Sequence, residues 1–471
     1  MDFTYLESRY DAMKTLVRRL NETYRYASLL GVEDDSRNWS VTGAGVNIGS
    51  RGVGVGTGFV ARVFDDTGCA EYSFNELSQD RVEPILQEIA SRLEQAKAAL
   101  PSGIEPLPTP LPADEPCRLK KQTPCLIDPR VLGDQAILDR LGGVRQRGLA
   151  IPGILDVSVR AAYRSCRKIF LSRERELDQT LTWMTGAVVA MAARGEEIKD
   201  AYIPFSNLGG AEVLEKMDTG VEEACRVALE LLDSEPIPPG VYDCVCTPDV
   251  TGMIVHEAFG HGVEMDMFVK DRAQAREFVG QYVASPLVTM HDGSAVREAA
   301  TFFFDDEGTL SSDTVVIDKG ILKGGFCDAL SAARLGVVPT GNGRRESYER
   351  KVYTRMTNTY FEGGTATPEE LIAQVKDGLL LEMPTSGMED PKNWGIQMMV
   401  SHARQIKDGK LTGKIYSPIV MTGYVPDLLK SIRGMGRDIA LSGSGYCGKG
   451  HKEWVKVSDG GPYILAKIRL G

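Results

Sequence analysis

The sequence predicts an α+β fold. An N-terminal antiparallel or mixed sheet flanked by helices is followed by a β-rich, barrel-like C-terminal domain, which carries a short helix with two histidines. Three observations predict this. An order of amphipathic helix, alternating strands and amphipathic helix occurs twice before residue 234. Pro236-Ile237-Pro238-Pro239-Gly240 then interrupts the chain. Beyond it, short alternating runs joined by Gly-containing turns dominate. The domains are accordingly placed at 1–233, in two halves joined by a Pro-rich linker at 100–125, and at 234–471.

Residues 5–21 read as a helix, because Leu6, Tyr10, Met13, Leu16, Val17 and Leu20 recur at helical spacing. Residues 23–75 are Gly- and Val-rich and alternate. Gly52, Gly54, Gly56 and Gly58 fall at every second position, unlike the G-x-G-x-x-G of a phosphate loop, and strand pattern follows them rather than a helix. They read as a strand with one bare face that another backbone can approach. A helix at 79–99 closes this unit. Residues 100–125 hold seven prolines and read as an extended linker in which Lys120 and Lys121 are solvated.

The second unit reads as a helix at 129–147, strands at 154–160, 168–172 and 179–193, and a helix at 211–233. Its outline repeats the first unit, as if one sheet were assembled from two halves. Beyond the proline break, 241–246 reads as a strand, followed by the histidine helix and a second helix at 269–282. Strands are then expected at 286–290, 301–305, 314–322 and 396–422, with turns at Asp318-Lys319-Gly320 and Asp408-Gly409-Lys410. Helices are expected at 367–377, which opens Thr367-Pro368-Glu369-Glu370, and at 425–434.

Composition narrows the function. A net charge of −11 argues against a general nucleic-acid binder. The longest nearly apolar run, Leu181 to Ala193, is too short to span a bilayer, so no membrane role is expected. The opening residues show no secretory signal, and the chain reads as cytoplasmic. Nine scattered cysteines, an odd number, do not read as a disulfide framework. Cys244 and Cys246, two apart in a strand, read as neighbours on one core-facing side.

The chemistry gathers at Val255-His256-Glu257-Ala258-Phe259-Gly260-His261-Gly262-Val263-Glu264, which holds two of the five histidines. Imidazole is a good zinc ligand, and an adjacent carboxylate can take a proton from metal-activated water. The spacing is H-E-x-x-x-H, one residue longer than the zinc-peptidase motif. Five steps along a regular α-helix leave two side chains about 140° apart, against about 40° for four. A widened i→i+5 turn at 257–261, eased by Gly260, would let both rings meet one ion. The bland alternative is a buried helix that merely contains two histidines. Thr247, Pro248 and Asp249 suit the start of this helix as cap, first-turn proline and dipole partner. A third ligand is open among Glu264, Asp266, Cys447, His451, His291 and His402; Glu264 and Asp266 would otherwise orient the histidine rings.

Several segments carry a family resemblance: the histidine stretch, Gly341-Asn342-Gly343-Arg344-Arg345-Glu346-Ser347-Tyr348, Arg355-Met356-Thr357-Asn358-Thr359-Tyr360 and Cys447-Gly448-Lys449. With them the chain resembles the TldD/PmbA family of metallopeptidases over most of its length. It resembles the TldD branch in particular, since PmbA-type members lack the histidine motif. The resemblance implies zinc (Zn2+) held by two histidines and a C-terminal cysteine, here His256, His261 and Cys447. It implies Glu257 as the general base in amide hydrolysis, with donors to oxyanion or substrate backbone from Arg344, Arg345, Tyr348 and Asn358. It also implies small or unfolded peptides as substrates, and an enclosing dimer, either a homodimer or a heterodimer with a PmbA/TldE-like subunit. The alternative is a non-catalytic peptide-binding or regulatory subunit with a structural metal. The pattern departs from the family at His451 and across 379–391, where substrate preference is expected to differ.

Overall fold

Leu6, Met13, Leu16, Val17 and Leu20 share one face of the helix Thr4–Thr23, and all are buried. That face lies on strands Tyr26–Thr42, Gly58–Phe64 and Cys69–Phe74, beside the helix Val82–Ala98. The second unit does the same with helices Asp134–Leu149 and Val213–Leu231, whose apolar faces cover strands Ile154–Leu171 and Arg175–Arg194. The computed structural model describes residues 3–50, 52, 54–66, 68–99, 109–450 and 452–471.

The two units share one sheet. Tyr26–Thr42 pairs antiparallel with Ile154–Leu171, from Leu29 opposite Leu171 to Val41 opposite Val159. The expected strands at 154–160 and 168–172 are one continuous strand. Its middle stays extended because Tyr163 donates to Asp35 at 2.7 Å and Arg164 to Asp34 at 2.7 Å, which satisfies the polar groups between the apolar ends. Glu197–Asn207, a strand not read from the sequence, pairs with Arg175–Arg194. Part of the expected linker is also sheet: Cys117–Gln122 runs parallel to Arg175–Arg194, with Lys120 exposed. The prolines up to 108 lie outside the described residues.

The glycine run departs from expectation. Residues 51 and 53 lie outside the described residues, and the strand begins only at Gly58. Gly54 has φ of +67°, a turn conformation, and the Glu346 carbonyl occupies the place of a side chain there. At Gly58 an added Cβ would lie 2.5 Å from the Tyr348 ring. The bare glycine surface is thus a seat for the 346–348 loop.

The C-terminal half closes a five-strand barrel. Its strands run Asp377–Asp390, Gly240–Cys246, Ile464–Leu470, Ile419–Tyr424, Gly395–Lys407 and back to Asp377–Asp390. Cys244 and Cys246 both point into its core. A second sheet, containing Met290–Gly293, Asp313–Asp318, Asn358–Phe361 and Ser458–Gly461, lies against the histidine helix. Lys319 and Gly320, and Asp408 and Gly409, take positive φ at the expected turns.

Three expectations fail here, the first being the strand at 286–290, of which only Met290 is extended, at the start of Met290–Gly293. The helix at 269–282 is replaced by Met265–Val269 and a separate 3-10 turn, Gln274–Phe278. Lys270-Asp271-Arg272 offers no apolar stripe, and Asp271 sits at φ of +55°, which ends the first helix. The strand at 301–305 reduces to a single bridge between Phe304 and Leu310. The amides of Phe303 and Phe304 instead donate to the Gln179 side chain of the N-terminal sheet.

Candidate metal centre

The strand Gly240–Cys246 leaves the barrel and turns at Thr247 into the helix Pro248–Met253. Pro248 holds the first helical position as expected, but Thr247 does not cap. Its hydroxyl donates to the Leu381 carbonyl at 3.0 Å and to the Asp249 carboxylate. The helix then widens: Ile254–Gly260 is a π-helical turn, followed by the 3-10 turn His261–Val263. This is the distortion that H-E-x-x-x-H spacing requires if both rings are to face one point. Gly260 itself is in ordinary right-handed helical conformation. Its role is spatial, because the Met356 sulfur occupies the place of a Cβ.

Cys447 arrives from the hairpin of Tyr446–Lys449 and Lys452–Lys456. One donor atom each from His256, His261 and Cys447 lies within 4.8 Å of the other two. Cys447 Sγ is 3.2 Å from His261 Nε2, and the two imidazoles meet edge to face at 5.1 Å. Tetrahedral zinc with bonds of about 2.0–2.3 Å needs such donors roughly 3.3–3.6 Å apart. Two imidazoles and a thiolate therefore fit that ion with small side-chain adjustments. Burial alone would raise the Cys447 thiol. The imidazoles of His261 and His256 overcome it and hold the thiol well below its usual range, favouring the thiolate that ligates metal. Burial would likewise lower His261, but Cys447 and Glu264 hold it well above its ordinary value.

Glu264 and Asp266 lie behind the ligands. Glu264 approaches His261 Nδ1 at 3.4 Å and accepts from Arg355 at 3.2 Å and Lys449 at 3.0 Å. Lys449 also reaches Asp266 at 2.7 Å. Burial would raise the Glu264 carboxyl; Lys449, His261 and Arg355 lower it instead. Asp459 stands 3.9 Å from His256 Nδ1, and burial pushes it up to about 6.

Glu257 lies 4.0 Å from His261 Nε2, and its side chain packs on Gly387 of the strand Asp377–Asp390. Glu389 of that strand accepts from the Gly262 amide at 2.9 Å, and burial raises its carboxyl well above the usual range. Glu257, the three donors, Thr385–Glu389 and Tyr446–Lys449 line one cleft of about 890 Å³.

The remaining predicted residues lie elsewhere. Asn358 is fully buried and donates to the carbonyls of Gly293 and Val296. Arg345 pairs with Glu71, and Arg344 donates to the Met356 carbonyl at 2.5 Å. These two arginines and Tyr348 line a different cavity. His291 is held between Asp313 at 2.7 Å and Glu362 at 2.9 Å, and His402 lies 3.2 Å from Glu382. His451 lies outside the described residues. Sequence reasoning passed over Arg355, Lys449, Glu389 and Asp459. The first two stand inside quoted motif segments without an assigned task, whereas nothing in the local pattern marks the last two.

Residues 239–469 match the PmbA/TldA metallopeptidase C-terminal domain. A metalloprotease of Methanothermobacter thermautotrophicus is 29% identical over 67% of this chain and 69% of its own length. A zinc metalloprotease TldD homolog of Saccharolobus solfataricus is 30% identical over 52% of this chain and 55% of its own length. Among solved structures, TldE from Thermococcus kodakarensis superposes with a TM-score of 0.75 at 15% identity, over 97% of this chain and 100% of that one, a likeness of fold. Among the described residues, no helix is long and apolar enough to cross a membrane. The relatives' names imply a metal cofactor, and the donor set suits one. The C-terminal half of the chain, residues 239–469, thus carries the metallopeptidase domain of the PmbA/TldA family, and relatives similar to the chain are named metalloproteases.

Proposed function

We propose that this chain is a zinc-dependent peptidase of the TldD branch that hydrolyses small or unfolded peptides. His256, His261 and Cys447 are the ligands, and Glu257 is the general base. The observation that carries the reading is the three-donor cluster with the Glu257 carboxylate 4.0 Å from His261 Nε2, all on one cleft wall. Three protein donors leave a tetrahedral ion one further position, the arrangement of a catalytic site. A zinc ion held there supplies a Lewis acid for the scissile carbonyl and acidifies water. The Glu257 carboxylate accepts the proton from the attacking water and returns it to the leaving amine. Gly387 and the π turn hold that carboxylate toward the cleft.

Substrate binding is assigned to the strand Asp377–Asp390. Gly395–Lys407 covers one of its edges along its whole length, but Gly240–Cys246 covers the other only from Gly378 to Leu381. Among the described residues, the Thr385–Glu389 edge has no strand partner, and these residues line the cleft. An extended peptide adds to such an edge through its backbone, which suits unfolded substrates of varied sequence. The site would be enclosed by a second subunit, another copy or a TldE-like chain, in the cytoplasm. The TldE-like fold supports such a partner, and nine free thiols suit a reducing compartment.

The test is Glu257→Gln assayed on an unstructured peptide, with metal content measured beside it. Cleavage lost with metal retained is the expected result. Cleavage at the wild-type rate would refute the assigned base.

A further inference from the structure

A second cavity, of about 70 Å³, lies between the N-terminal sheet and the C-terminal half, on the other side of the hairpin that presents Cys447. Its wall includes five cationic side chains: Arg164, Lys168, Arg344, Arg345 and Lys456. Three have carboxylate partners: Arg164 with Asp34 at 2.7 Å, Lys168 with Asp306, and Arg345 with Glu71. Arg344 and Lys456 have none within 4.0 Å among the described residues. Arg344 makes its hydrogen bond to the Met356 carbonyl and stacks on Phe302. Lys456 is 4% exposed, its ammonium has no hydrogen-bond partner, and it lies over the Tyr446 ring at 4.6 Å.

A buried ammonium and a half-buried guanidinium on one cavity wall, neither with a carboxylate in salt-bridge reach, are costly. Asp306 already serves Lys168 and the Arg345 amide, and Glu346 accepts from the Glu453 amide at 2.9 Å. Burial pushes Lys456 down to about 7 against the opposing charges of Glu298 and Asp459, and Arg344 down to about 10 against those of Asp306 and Asp292. The cavity, about 70 Å³, has room for a small oxyanion. Trp454 lines both this cavity and the metal cleft.

We infer that this cavity is an oxyanion-binding site in which Lys456 and Arg344 hold a carboxylate or phosphate group. Two sources share that chemistry: the terminal carboxylate of a peptide reaching around Trp454 from the metal cleft, and free inorganic phosphate. The peptide source rests on the peptidase reading. The site itself does not, because binding can be read without turnover.

The test is calorimetric titration of full-length Glu257→Gln protein with three probes: tetra-alanine with a free C-terminus, the same peptide amidated, and inorganic phosphate. Lys456→Met is then added to the same background. If the peptide terminus is the source, the free acid binds about tenfold or more tightly than the amide, as a charge-assisted hydrogen bond allows, and Lys456→Met abolishes the difference. If free anion is the source, acid and amide bind alike, and phosphate binds saturably until Lys456→Met removes it. Equal binding of acid and amide with no phosphate binding would overturn the site without using any cavity variant. A preference that survives in folded Lys456→Met protein would overturn it as well. Failure of the peptidase reading alone would appear as absent peptide cleavage by the wild-type protein, with phosphate binding intact.

Discussion

Arg355 donates to Glu264 at 3.2 Å with neither side chain exposed beyond 2%. The same guanidinium donates to the Cys447 carbonyl at 2.9 Å and to the Glu453 carbonyl. One buried ion pair therefore ties the histidine segment, through Glu264, to the hairpin that brings the cysteine. Removing Arg355 takes one of two cations from the buried Glu264 carboxylate, Lys449 at 3.0 Å being the other, and leaves the Cys447 and Glu453 carbonyls without their donor. Arg355→Met should lower the unfolding free energy by about 3–5 kcal/mol in urea titrations. Adding Glu264→Gln should recover part of that loss, because no buried carboxylate is then short of a cation. A loss below about 1 kcal/mol would show that the pair is not the tie.

Gly387 places the Glu257 carboxylate. An added Cβ there would lie 2.6 Å from Glu257 Cγ. Gly387→Ala should cost about 1–3 kcal/mol of stability and a much larger share of peptide cleavage. Gly395→Ala in the adjoining strand, where a Cβ meets nothing within 4 Å, is the control and should keep both. Equal cleavage by the two variants would detach Glu257 from the reaction.

Tyr348 separates packing from substrate binding. Its ring fills the seat left by Gly58, and the residue is 9% exposed. Tyr348→Ala should cost about 3–5 kcal/mol in thermal or urea unfolding. Bound metal per folded chain should not change, which metal analysis of the native fraction checks.

The H-E-x-x-x-H spacing was enough to require the π turn, because helical geometry leaves few other ways to bring His256 and His261 to one point. The sheet was legible wherever apolar side chains alternate, as Val157, Val159 and Ala161 do in Ile154–Leu171. The strand Asp377–Asp390 was not, although it carries the Gly387 and Glu389 contacts to the site. Pro384 lies beside a register shift, Met383 has φ of +61°, and the outer residues are polar, so no period of two survives. The glycine run was read for the right surface and the wrong conformation. Its partner, Tyr348, lies about 290 residues further along the chain, beyond any local pattern. Asp459 and Arg355 acquire their positions in the same way, from contacts distant in sequence.

His291 should make stability depend on pH. Hydrogen bonds donated to Asp313 and Glu362 outweigh burial and raise its pKa above the ordinary value. A histidine raised in the folded state contributes stability that is fully present below about pH 6.5, its unfolded value, and is lost as pH rises through the folded value. The wild-type unfolding free energy in urea should therefore fall from pH 6 toward pH 9. The His291→Gln difference should shrink over the same range. A difference independent of pH would contradict the assignment.

The most direct measurement is metal content by plasma emission for the wild-type protein and for His256→Ala, His261→Ala and Cys447→Ala, each checked for folding. The account predicts about one zinc per wild-type chain and loss of it in all three variants. Zinc retained in folded Cys447→Ala, or no metal in the wild-type protein after zinc is supplied, would contradict it.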